Sequence, residues 1–211
     1  MAGLSRADRA QVPLRPYPLL LTGVALQRLA ELALSRRNER HSGRPRGTAA
    51  ARSYPLMVGV HVALFALPLI ERRLAGRRAR REVALVALAG EAAATALRLW
   101  AIRALGTAWN VRGRVFDDLR VVDTGPYRYV RHPNYVAVAL EMLALPLAGG
   151  AVVSAIVLSV ANAVVLLPRI REEEALLAMV PGYNERMAGK PRFLPQLWSP
   201  ATGRRPAVDR R

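Results

Sequence analysis

The sequence predicts an all-α protein, an integral-membrane helical bundle of about five transmembrane helices. Three observations point there. Hydrophobic residues make up 52% of the 211 positions although 22% are charged, and the mean hydropathy is +0.13. The charge is segregated, with arginine-rich stretches alternating with apolar runs of membrane length. No strand followed by a glycine-rich turn and a helix is present, which removes the doubly wound soluble folds.

The first run is Tyr17–Ser35, the second Tyr54–Glu71 and the third Glu82–Gly106. The fourth begins at Asn134 and ends in "LAGG"; the fifth, "AVVSAIVLSVANAVVLLP", ends at Pro168. Crossing ~30 Å of hydrocarbon takes about 20 residues at 1.5 Å each. The second and fourth runs are short for this, so tilt or local thinning is expected. "LAGG" followed by "AVVS" predicts a tight turn that joins the last two runs into a helical hairpin. Arg28, Glu31, His61, Glu91, Arg98, Glu141 and Asn162 fall inside the runs. Ionisable groups at such depth are costly and face a bundle interior or a wet cavity. Arg28 and Glu31, three apart, can pair on one helix face. Glu91 and Glu141 have no basic residue three or four positions away.

A net charge of +17 raises nucleic acid as a partner. Here the arginines lie between apolar runs, so the expected partner is membrane lipid and not nucleic acid. The stretches Arg36–Arg52, Arg112–Arg131 and the one after Pro168 share one side of a five-span bundle and carry most of the Lys and Arg. The positive-inside rule puts them, and the C-terminus, in the cytoplasm; Arg72–Arg81 runs against this. Absence of cysteine excludes disulfides, thiolate metal sites and cysteine nucleophiles, and no metal is expected. The first twelve residues are polar, so no cleaved signal peptide is expected. Residues 1–200 read as one domain and 201–211 as a disordered tail.

Chemistry-capable side chains concentrate in "VDTGPYRYVRHPNYVAV", Val122–Val138. Gly125-Pro126 signals a turn, and Pro133 suits the first position of a helix. Arg131 and His132 stand just before it. Free N–H groups and partial positive charge at that helix start form an anion site. Arg131 adds a planar fork for a carboxylate, and His132 a donor or acceptor. Tyr127, Tyr129 and Tyr135 offer aromatic faces with hydroxyl handles, suited to a flat ring or a sulfonium cation. A ligand with a carboxylate, an aromatic base and a positive centre would fit, and S-adenosylmethionine has all three. The alternative is a tyrosine- and arginine-rich interfacial belt. After the fifth run comes a second cluster, Glu172, Glu173 and Glu174. The hairpin returns it to the side where Arg131 lies.

"GPYRYVRHPNY", followed by "RIREEEALL" and "PRFLP", resembles the isoprenylcysteine carboxyl methyltransferase family of integral-membrane, S-adenosylmethionine-dependent enzymes. The pattern covers Leu105–Pro195, the core motif region of the domain. The N-terminal half looks like a bacterial branch whose members methylate hydroxyls of lipid-tailed alkylpyrones and alkylresorcinols. The resemblance implies that Tyr127, Arg131, His132, Pro133, Tyr135 and Glu173 bind the cofactor and that Arg131 and Glu174 are catalytic. It implies a multi-pass bundle in a bacterial cytoplasmic membrane, with a cytosolic cofactor pocket and a lipid-facing tunnel. The acceptor would be an oxygen, carboxylate or phenol/enol, of an isoprenoid- or alkyl-tailed molecule. Ala137 stands where the family often has glycine. "RHPNY" also resembles a motif of NADPH-dependent membrane steroid reductases, and an amine acceptor would place the chain near the phospholipid N-methyltransferases. A non-enzymatic basic scaffold would explain the charge but not the tyrosine cluster.

Overall fold

The computed structural model describes residues 16–49, 54–76 and 79–195. The polar N-terminal stretch and the tail expected to be disordered lie outside the described residues. Five long helices are present: α1 (Pro16–His41), α2 (Tyr54–Ala75), α3 (Arg81–Leu105), α4 (Pro133–Ala148) and α5 (Val152–Leu177); a short α6 (Tyr183–Met187) follows. By length and composition α2, α5 and α3 continued to Ala108 can each cross a membrane, while α4 has only 16 residues. Leu19, Leu56, Leu74, Val86 and Val164 stand exposed on the outside of α1, α2, α3 and α5. Lipid-facing helices need such a surface, because the backbone is satisfied internally and the side chains meet hydrocarbon.

The all-α expectation omits a two-stranded antiparallel ribbon, β1 (Pro45–Thr48) with β2 (Arg114–Phe116). It ties the segment after α1 to the segment after α3. Strands this short carry no readable alternation. The fifth run was expected to stop at Pro168, yet α5 continues through it to Leu177. A proline forfeits one helical hydrogen bond, which membrane helices tolerate when their neighbours pack well. The glutamates therefore ride on the same rod as the apolar run.

Packing follows a repeat of alternating threes and fours. Buried on α3 are Ala84, Ala87, Glu91, Ala94, Arg98 and Ala101. Alanines at these positions let α3 lie close against α4. A Cβ added at Gly90 would come within 3.3 Å of the Ala144 Cβ. Between lipid-embedded helices this close approach supplies the attraction that water-driven burial cannot. On α1 the same spacing selects Tyr17, Leu21, Val24, Arg28, Glu31, Ser35 and Asn38. The stripe is apolar at its start and polar further on. Its side chains tether α1: Tyr17 donates to the Leu145 carbonyl (3.1 Å), Asn38 to the carbonyl of Trp109 (2.9 Å), and the Ser35 hydroxyl accepts the Val111 amide (3.0 Å). The α4–α5 hairpin turns at Gly149-Gly150, as expected from "LAGG".

Candidate active site

The start of α4 is built from its sequence signals. Gly125 has φ +58, and a Cβ there would come 2.9 Å from the Ala104 Cβ, so only glycine fits. It opens a 3-10 turn, Gly125–Arg128, that carries Tyr127 into the interior. Pro133 takes the first helical position with His132 as N-cap. Amides on both sides of Pro133 are engaged. Arg131 N–H donates to the Pro191 carbonyl (2.9 Å) and His132 N–H to that of Arg192 (3.0 Å). Those of Tyr135 and Val136 reach the His132 carbonyl at 3.1 and 3.3 Å. Buried backbone donors must be paired, and the "KPRF" segment returning after α6 pairs two of them.

The glutamates of α5 meet these side chains. Glu174 Oε1 lies 3.0 Å from His132 Nε2 and 3.1 Å from Arg131 Nη1, and its Oε2 lies 2.6 Å from Arg192 Nη2. Glu173 accepts the Tyr135 hydroxyl. That hydroxyl oxygen accepts from Arg169 Nε (3.1 Å), and Arg169 Nη2 donates to the Val111 carbonyl (2.9 Å). The His132 ring stacks on Tyr135 with centroids 5.3 Å apart, and Phe193 lies 6.4 Å from His132. Burial pushes the Tyr183 phenol up to about 12, with the Arg131 charge opposing and the two glutamates reinforcing. Burial, with the Glu173 charge behind it, raises Tyr127 as well. Both remain neutral donors at physiological pH.

Arg131, His132, Tyr135, Tyr127 and Glu173 line one end of a cavity of about 580 Å³. Leu29, Val58, Val62 and Phe65, on α1 and α2, line its apolar part, and Arg28, Glu31, His61 and Arg98 also reach the wall. Glu174 stands behind Arg131 and off the wall. Pro133 is buried and shapes the helix start without facing the space. Tyr129, expected as a third aromatic face, is 51% exposed and not on the wall. Ala137 is fully buried yet off the wall, so its methyl does not narrow the space. Sequence reasoning passed over Asn134 and Arg169, which do line it. Asn134 sits inside the motif and could have been found there; Arg169, four residues before Glu173, falls one turn away on the same face. Arg131 Nε, Asn134 Oδ1 and Arg169 Nη1 are buried with no hydrogen-bond partner. Among the described residues no group of three His, Cys, Asp or Glu could hold a metal ion.

Deeper in the bundle the intramembrane charges pair as a quartet. Arg28 bonds both Glu31 and Glu141, while Arg98 lies 3.0 Å from Glu141 and 3.5 Å from Glu31. Glu141, without a basic neighbour on α4, finds its partners on α1 and α3. Both oxygens of Glu91 are buried and make no hydrogen bond.

A bundle clad in apolar side chains, whose cavity passes from an apolar region to a charged, tyrosine-walled end, is that of a membrane protein built to handle an amphipathic molecule. The chain belongs to the isoprenylcysteine carboxyl methyltransferase (ICMT) family, whose model matches residues 84–179. The matched stretch runs from α3 just past α5, through the "RHPNY" start of α4 and both glutamates, and points to a membrane methyltransferase. The uncharacterized protein YpbQ of Bacillus subtilis (strain 168) is 35% identical over 160 residues, 75% of this chain and 95% of that protein.

Proposed function

We propose that the chain is an S-adenosylmethionine-dependent methyltransferase that methylates an oxygen, carboxylate or phenol/enol, of a lipophilic acceptor with an isoprenoid or alkyl tail. The observation that carries this reading is one cavity with two characters. Its apolar walls accept a tail and its charged end accepts a polar head. Its volume falls within the ~300–1,000 Å³ usual for small-molecule sites. The donor set suits the cofactor: the guanidinium of Arg131 for a carboxylate, the faces of Tyr127 and Tyr135 for a ring or a cation, and Glu173 for hydroxyls. The unpartnered Arg131 Nε and Asn134 Oδ1 leave a donor and an acceptor unsatisfied until a ligand arrives.

When bound, S-adenosylmethionine supplies a methyl group on a positive sulfur. The protein's part is alignment, which can contribute roughly 7–11 kcal/mol to the rate. Arg131 and His132, braced by Glu174, hold charge at the reacting end. A carboxylate acceptor needs no base; a phenol or enol needs a proton acceptor, and Glu173 is the carboxylate on the wall at this end, with Glu174 behind Arg131. The buried phenols of Tyr127 and Tyr183 stay protonated and bond oxygens without competing as nucleophiles. In this reading about five helices span a bacterial cytoplasmic membrane, with the α4 start and the C-terminus cytoplasmic.

Lipid extracts incubated with the inserted protein and deuterated-methyl S-adenosylmethionine should yield a labelled lipid by mass spectrometry, and Arg131→Ala and Glu174→Gln should abolish it. Full activity in both variants would remove the mechanism. Tight binding of NADPH with none of labelled S-adenosylmethionine would favour a reductase, and label on a nitrogen would favour N-methylation.

A further inference from the structure

The cavity wall carries a second polar level, deeper in the bundle than the charged end. Arg28 and Glu31 of α1, His61 of α2, Arg98 of α3 and Asn162 of α5 all border the space. Glu141 of α4 bonds both arginines from behind. His61 stands close enough to Glu141, Arg98 and Arg28 to feel their charges. Glu141 lies six residues past Tyr135, and Asn162 seven before Arg169, which bonds the Tyr135 hydroxyl. At 1.5 Å per residue, Asn162 is therefore within about one turn of Glu141 in depth. The other charged wall residues, Arg114, Arg120, Arg131, His132, Arg169 and Glu173, belong to the segment after α3, the start of α4 or the end of α5.

At the deeper level the charged groups are paired, two arginines against two glutamates. The neutral groups are not. Asn162 is 5% exposed, and its side chain makes no hydrogen bond among the described residues. His61 Nδ1 lies 2.8 Å from the Met57 carbonyl. A carbonyl only accepts, so Nδ1 carries the hydrogen and Nε2 keeps a lone pair in the neutral ring. Nε2 has no hydrogen-bond partner among the described residues. A plain hydrocarbon tail passing here would strip water from both groups and return nothing, and a buried polar group left unmatched costs about 1–3 kcal/mol. An ion would unbalance a set whose charges already cancel. A hydroxyl suits both groups, because it can donate to Nε2 and accept from the Asn162 amide.

We infer that this level is a second subsite for the acceptor and takes a hydroxyl carried on its tail. Naming the occupant as the acceptor rests on the methyltransferase reading. Depth sets where the hydroxyl stands. The level lies about 9 Å from Tyr135 and about 14 Å from His132 along α4. Carbon–carbon bonds of about 1.5 Å at about 111° advance a chain ~1.25 Å per carbon, so the hydroxyl falls about seven to eleven carbons from the methylated oxygen. The acceptor is then a lipid hydroxylated in mid-chain, and His61 and Asn162 select it over an unsubstituted chain.

The test uses the full chain in lipid nanodiscs, with calorimetric binding of octadecanoate, 3-hydroxyoctadecanoate and 10-hydroxyoctadecanoate. The two hydroxy acids are isomers and differ only in where the hydroxyl stands. Binding of labelled S-adenosylmethionine is measured in parallel. The wild type should hold 10-hydroxyoctadecanoate about tenfold tighter than either other probe, the size of one or two net hydrogen bonds. Asn162→Leu and His61→Phe should each cut that preference to about threefold or less. Both should bind octadecanoate at least as tightly as the wild type does, a gain that a merely damaged bundle would not show. No binding of any probe by the wild type, equal binding of the three, or preference for the 3-hydroxy isomer overturns the inference, even if neither variant folds. So does a folded variant that keeps the full preference. Failure of the wild type to bind S-adenosylmethionine, with the mid-chain preference intact, sinks the cofactor reading and leaves the hydroxyl subsite standing.

Discussion

Two groups of charge sit on α4, one at His132 and one at Glu141, about 14 Å apart along the helix. The deeper quartet is paired within itself, two arginines and two glutamates from three helices, although Arg28, Glu31 and Arg98 also reach the cavity wall. The group at the helix start is open. It borders the same cavity and leaves an atom each of Arg131, Asn134 and Arg169 without a partner, against Arg28 Nε in the quartet. Charge that is closed holds helices together in a medium that offers no other solvation. Charge left open at the edge of a cavity is available to a ligand. If that distinction is right, substitutions in the two groups must damage different properties.

The largest effect belongs to Glu141→Ala. It strands Arg28 and Arg98 on one carboxylate, and removing one partner of a buried pair costs about 3–5 kcal/mol. Thermal unfolding in detergent should fall steeply, and methyl transfer should fall with it. An unchanged melting profile would mean that the quartet holds nothing. Next comes Glu174→Gln. Methyl transfer should drop at least about 100-fold, comparable to removing one group that stabilises charge in a transition state. Stability should change by no more than about 1 kcal/mol, as for partly exposed pairs. A variant that unfolds instead would move Glu174 into the structural class.

Gly113→Ala probes the link between ribbon and cavity. Gly113 has φ +64, and a Cβ there would lie 2.9 Å from Arg169 Nη2 and 3.3 Å from the Ala49 Cβ. The backbone strain alone is worth about 1–2 kcal/mol. Because the methyl also displaces Arg169 from the cavity wall, methyl transfer should fall further than the loss of stability alone explains. Unchanged methyl transfer would mean that Arg169 is not set by this contact.

Much of this division was legible in the residues. Apolar runs flanked by arginine gave all five long helices, because period and composition are local signals. Proline at the first turn of α4 and glycine before Pro126 fixed the helix start, and the short hairpin loop implied that α5 would bring its glutamates back to it. What was hidden was pairing between helices. Glu141 looked partnerless because its arginines lie on α1 and α3, and the alternating spacing of Arg28, Glu31, Ser35 and Asn38 was the signal available for that stripe. The ribbon was too short to show a period. Nothing in "KPRF" announces that its carbonyls return to pair the amides of Arg131 and His132 just before the helix.

Ala137 tests the boundary between the two regions, since it lies five residues past His132 and four before Glu141. Glycine, often found here in the family, would suggest a position kept clear for the cofactor. In this chain Ala137 is fully buried in the packed part of α4 and away from the cavity. Its methyl therefore belongs to the closed, structural side. Ala137→Gly should cost about 0.5–1 kcal/mol of stability from helix propensity, plus a small loss of contact. Labelled S-adenosylmethionine should bind within about twofold of wild type, because no wall of the cavity changes. Tighter cofactor binding in Ala137→Gly would show that the methyl obstructs the site, and would move the boundary between the structural and chemical charge one turn deeper along α4.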